Sequence, residues 1–102
     1  MASTKEYRDF ILEQLSDLDE IRCRAMMGEF ILYCRGKIFG GIYDDRLLVK
    51  AVPAAIRMMP DAARQLPYEG AKEMLLVDDV DNREFLCGLV EAIWDELPDK
   101  KK

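Results

Sequence analysis

Between Arg22 and Lys50 the sequence sets short apolar runs apart by breaks about two residues long, and breaks that short can join strands in only one way. In residues 22–27 charged and apolar side chains alternate, and Phe30-Ile31-Leu32-Tyr33-Cys34 is apolar on both faces. Lys37 to Tyr43 and Arg46 to Lys50 continue the series, with Gly28-Glu29, Arg35-Gly36 and Asp44-Asp45 as the breaks. A parallel crossover needs about a dozen residues or more, so these runs are read as hairpins. The stretch predicts an antiparallel meander of three strands, four when residues 22–27 are included. Asp44 and Asp45 stand where a tight turn needs residues that tolerate its geometry and bond to their own backbone. Gly40-Gly41 lies inside a run, where glycine marks a bulge or the close approach of another element.

The meander is flanked by helical periodicity. Ser3 with Glu6 three residues on is a capping-box pattern, and Tyr7, Phe10, Ile11, Leu15 and Leu18 recur at helical spacing. Residues from about 4 to 18 are therefore expected to form an amphipathic helix with an acidic outer face. Pro53 suits the first position of a short helix over residues 54–59, which stops or kinks near Pro60. Residues 61–73 are less regular, and residues 74–77 read as one more buried strand. Asp81, with Glu84 three residues on, is expected to cap a final helix whose apolar stripe runs from Phe85 to Leu97. Gly88 inside it costs about 1 kcal/mol against alanine and is expected to allow close packing on the sheet. Pro98 ends that helix, leaving residues 99–102 as a disordered lysine tail after one domain over residues 1–98. Four to five strands with both terminal helices on one face make an α+β domain with a curved antiparallel sheet. The other sheet face is then solvated or used for association; Met58-Met59 and Tyr68 are candidate association residues, with core or loop packing as their ordinary role.

Composition narrows the function classes. No apolar run approaches the ~20 residues of a membrane span, and the polar N-terminus lacks a signal-peptide centre, so a cytoplasmic location away from membranes is expected. The chain has no histidine and three cysteines, Cys23, Cys34 and Cys87, widely spaced and without a CxxC. A disulfide framework or a zinc site is not expected, and the three are read as small buried thiols. The net charge of −5 disfavours nonspecific coating of nucleic acid. Residues 21–50, however, carry six basic side chains against three acidic ones: Arg22, Arg24, Arg35, Lys37, Arg46 and Lys50. This basic island is either a solvated sheet face or a contact patch for an acidic partner.

Catalytic constellations are missing from the sequence. The commonest general base is absent, and no nucleophile elbow, phosphate loop or dinucleotide fingerprint occurs. Cys34 lies beside Arg35, which could lower its pKa if the geometry brought them together. The run Asp78-Asp79-Val80-Asp81-Asn82 offers hard-cation ligands, but it lacks the glycine and the later glutamate of a calcium loop. A cluster directly before a helix is also what capping and the helix dipole favour. No enzyme, catalytic residue, metal or cofactor is expected.

The spaced set Arg24, Met26, Met27, Gly28, Leu32, Tyr33, Gly36, Lys37, Phe39, Asp44, Asp45, Leu47 and Lys50 resembles the central block of the TfoX N-terminal domain family, also called the TfoX/Sxy competence-regulator family. That block reads roughly Arg-x-Met-Phe-Gly, a Leu-Tyr strand, Gly-Lys-x-Phe, an apolar strand and Asp-Asp-x-Leu-x-x-Lys. Met27 replaces the usual phenylalanine. The resemblance implies an α+β fold with a curved antiparallel sheet. It also implies a non-enzymatic regulatory role, since the named bacterial members activate competence genes together with the cyclic-AMP receptor protein. Those regulators carry a second, helical domain that this sequence lacks, so a stand-alone member is expected. The reading is a regulatory or adaptor domain acting through a protein partner, such as a transcription factor, with a homodimer compatible. The alternatives are direct nucleic-acid binding through residues 22–50, with those six cations as contacts, and a small-ligand or cation sensor.

Overall fold

Each of the three hairpins turns on two residues with positive φ. Met27 and Gly28 have φ of 52° and 87°, Arg35 and Gly36 47° and 85°, and Asp44 and Asp45 54° and 56°. Positive φ at both central positions is the signature of the turn whose twist matches a right-handed strand pair. The first break therefore falls at Met27-Gly28, one residue earlier than the sequence suggested. In the computed structural model, which describes residues 3–67 and 70–97, these turns join β1 (Ile21–Met26), β2 (Glu29–Cys34), β3 (Lys37–Ile42) and β4 (Leu47–Lys50). Around them lie α1 (Lys5–Gln14), α2 (Pro53–Met58), β5 (Arg64–Gln65), β6 (Met74–Leu76) and α3 (Arg83–Trp94). Tyr68, Pro98 and the lysine tail lie outside the described residues.

The sheet is antiparallel throughout, in the order β1-β2-β3-β4-β6-β5. It has six strands rather than four to five, because the irregular segment after α2 contributes the two-residue β5 at the far edge. Leu32 faces Gly40 and Tyr33 faces Ile38, which leaves Phe39 as the extra residue of a bulge. Phe39 and Ile42, three positions apart on one strand, are consequently both buried in the core. The double glycine is required beside that bulge. A Cβ on Gly40 would collide with the Leu48 carbonyl, and one on Gly41 would lie 2.7 Å from the Phe30 carbonyl and 2.7 Å from the Tyr43 ring.

The three helices share one sheet face. Ile11 and Leu15 from the α1 end, Ala54 and Ala55 from α2, and Leu86, Leu89 and Ile93 from α3 close over Phe30, Leu32, Phe39 and Leu75. Each large side chain so buried contributes about 1.5–3 kcal/mol over leaving it in water. The caps differ from the sequence reading. Thr4, not Ser3, accepts the Tyr7 N–H at the start of α1, and Asn82, not Asp81, accepts the Phe85 N–H at the start of α3. Ser3 instead donates its hydroxyl to Glu29 Oε1 at 2.6 Å. α1 also ends at Gln14, earlier than its apolar spacing implied; Leu15 and Leu18 still pack on the core from a turn. Val52 offers no side-chain cap to α2, and Glu96, past the end of α3, accepts the Ala54 N–H at 2.8 Å. Gly88 does not pack on the sheet. It lies exposed, and a Cβ added there would meet nothing within 4 Å.

Candidate functional site

The open face of the sheet is built by the strand residues that the helices do not cover. Alternation along β2 buries Phe30, Leu32 and Cys34 and leaves Glu29, Ile31 and Tyr33 half-buried. Register brings Arg22 beside Tyr33, Arg24 beside Ile31 and Met26 beside Glu29 on this face. The sheet and the segment before β6 border a groove of about 900 Å³. Its floor and walls include Ile31, Tyr33, Ile38, Tyr43 and Met74. Met26 and Met27 stand at one end, while Lys50 and Lys72 also line it.

The aspartate pair of the third hairpin belongs to the structure and not to a reactive centre. Asp45 Oδ1 accepts the Thr4 N–H at 2.7 Å and the Thr4 hydroxyl at 3.2 Å, while the Asp45 N–H donates to Ser3 Oγ at 3.1 Å. The Asp44 N–H donates to Glu29 Oε1 at 3.0 Å. This turn thereby ties the start of α1 to the β1–β2 and β3–β4 hairpins.

The six cations of the basic island are dispersed. The Arg35 guanidinium lies 4.7 Å from the Trp94 ring centroid and the Lys37 ammonium 3.8 Å from it. Lys37 also donates to the Trp94 carbonyl at 3.2 Å, at the C-terminal end of α3, and the Trp94 indole N–H donates to the Cys34 carbonyl at 2.7 Å. These two cations fasten a helix end to a hairpin. Arg46 donates to the Tyr43 carbonyl at 3.2 Å and to Gln65 Oε1, which ties β4 to β5. Arg22 and Arg24 are exposed on edge strand β1. Lys50 alone of the six lines the groove. Burial lowers its pKa, and the like charge of Lys72 lowers it further.

The cysteines are free, but only Cys34 is buried; Cys23 and Cys87 are partly exposed. Burial raises the Cys34 pKa and outweighs the opposing pull of Arg35, so the thiol is not activated. Cys23 faces Leu32 across the ladder. Part of the acidic run before α3 is used locally: Asn82 caps the helix and donates to Asp79 Oδ2 at 3.3 Å. A smaller cleft of about 240 Å³ borders Asp61, Asp78 and Asp79, yet no cluster of three or more metal-ligating side chains occurs among the described residues. Among them, too, no helix is long and apolar enough to cross a membrane.

The sequence reading missed Trp94 as the partner of Arg35 and Lys37. It also missed the groove, whose only local signal was that β2 is apolar on both faces. The profile of the TfoX N-terminal domain matches residues 13–94. An uncharacterized 12.7 kDa protein in the trpE 5′ region of Spirochaeta aurantia is 32% identical over 80 residues, which span 78% of this chain and 70% of that protein. No solved structure matches. The chain belongs to the TfoX N-terminal domain family.

Proposed function

We propose that this member of the TfoX N-terminal domain family is a non-enzymatic regulatory adaptor that works by docking a protein partner on the open sheet face. Its family is one of regulatory, non-catalytic domains, like those of competence regulators. The observation that carries the docking reading is the β1–β2 hairpin tip. Met27 is 97% exposed and Met26 48% exposed, at the mouth of an apolar groove. Flexible methionines in water at a groove mouth suit a surface that adapts to a partner. The reading by nucleic-acid contact is less well supported. A phosphate track needs several cations on one surface, whereas Arg35, Lys37 and Arg46 are engaged in holding the fold.

The test is an affinity pull-down from native lysate with and without nuclease, using the wild type and a Met26→Thr/Met27→Asn variant. Asparagine tolerates the positive φ of the turn, so the variant keeps the hairpin. A protein recovered after nuclease and lost with the variant is the expected result. Recovery that vanishes with nuclease would transfer the function to nucleic acid.

A further inference from the structure

We propose that the far end of the groove binds a small amphipathic carboxylate, its apolar body on Ile31, Tyr33, Ile38 and Met74 and its charge at the Lys50 ammonium. The inference goes beyond the adaptor reading, since a protein can dock at the methionine tip whether or not this end holds a ligand.

Three features point to that class of ligand. The first is size and lining: a concave space of about 900 Å³ lies within the roughly 300–1,000 Å³ range of small-molecule sites. Its walls are mostly apolar and aromatic, with few polar groups to orient an occupant. The second is the placing of one ammonium. Lys50 is half-buried at the groove, and no carboxylate among the described residues forms an ion pair or hydrogen bond with it. The charge felt most by Lys50 is another cation, Lys72, and the two together with burial depress its pKa. A partly desolvated ammonium beside a like charge is unfavourable until an anion arrives. The third is that neither carboxylate of the lining pairs with Lys50. Glu29 is committed to Ser3 and to the Asp44 N–H, and Glu73 lines the groove without an ion pair to Lys50.

The same inventory separates a carboxylate from a phosphate. Lys50 and Lys72 are the cations of the lining and Glu29 and Glu73 its carboxylates, so a singly charged carboxylate meets less repulsion there than a doubly charged phosphate. The groove lining includes no arginine fork to hold phosphate oxygens, and the helix end that reaches it, Val52 before the six-residue α2, already has its Ala54 N–H taken by Glu96. The occupant is assigned as an effector or a reporter of an apolar acid.

The test uses octanoate as the probe, with octan-1-ol and octylamine as controls, titrated calorimetrically into the full chain. Octanoate binds with one-to-one stoichiometry, octanol about tenfold more weakly, and octylamine not at all. Lys50→Met keeps the side-chain length and removes the charge. It weakens octanoate by about tenfold and leaves octanol unchanged. Ile38→Trp fills the groove from β3, leaves Lys50 in the sequence and abolishes binding of both, which keeps the test decisive if Lys50→Met folds poorly. Equal binding of octanoate and octanol, unchanged affinity in Lys50→Met, or no binding to the wild type would each overturn the assignment. None of these outcomes bears on the pull-down, which reads the methionine tip.

Discussion

The two faces of the sheet are made by the same strands yet have different fates. On the helix side, Leu32, Phe39, Ile42 and Leu89 have no exposed surface at all. On the open side, Ile31, Tyr33 and Ile38 are only partly covered. The residue types barely differ, since β2 alternates phenylalanine, leucine and cysteine inward with glutamate, isoleucine and tyrosine outward. Three short helices can cover only one side of a six-stranded sheet. The apolar side chains left over are what the molecule has available for recognition, and the difference between the faces is the difference between stability and binding.

That contrast can be broken first at the bulge. Phe39→Ala removes a fully buried ring and is expected to lose about 3–5 kcal/mol, whereas Ile31→Ala on the open face should lose about 1 kcal/mol; urea unfolding of both measures the gap. Comparable losses would mean that the open face is not spare. Gly40→Ala forces a methyl against the Leu48 carbonyl and the Val49 backbone. It should lose about 3 kcal/mol through displaced strands. Trp94→Phe keeps most of the ring over which Arg35 and Lys37 lie but removes the indole donor to Cys34. A loss of about 1–2 kcal/mol is expected, read by the same unfolding curves.

Gly88→Ala works in the opposite direction. The site is exposed and open on the outer side of α3, so alanine should stabilise by about 1 kcal/mol and raise the melting temperature. The smallest effect is that of pH. Burial raises the pKa of Cys34, and the thiols of Cys23 and Cys87 are raised too. The folded chain therefore holds those protons longer than the unfolded chain. Their contribution is fully present at neutral pH and is lost as pH climbs past the ordinary thiol value of 9.0. A denaturation series from pH 7 to about pH 10 should show this decline, and a Cys34→Ala variant should show less of it.

Much of the fold was legible because it is local. Two-residue breaks permit only hairpins, so the strand order of the meander followed from spacing alone. Gly40-Gly41 announced both the bulge and the close approach. The caps were read one residue off because Glu6 and Glu84 complete a capping box with Ser3 and Asp81, whereas Thr4 and Asn82, followed three residues on by Tyr7 and Phe85, offer only the cap side chain, and the backbone conformation chooses them. β5 was invisible because two residues carry no period; it exists because β6 offers an edge and Arg46 reaches Gln65.

The candidate site was less legible than the fold. The sequence gathers six cations in thirty residues, but three of them hold the molecule together and one, Lys50, lines the groove. The sequence by itself determined an antiparallel sheet, its hairpins and the covering of one face by helices, since periodicity and link length act between near neighbours. Tertiary structure decided which charges remain available and where the groove opens. Those outcomes depend on contacts such as Trp94 to Cys34, 60 residues apart, and Asp45 to Thr4, 41 residues apart. A side chain's partners across such distances exist only after the helices have docked, and no local pattern records them.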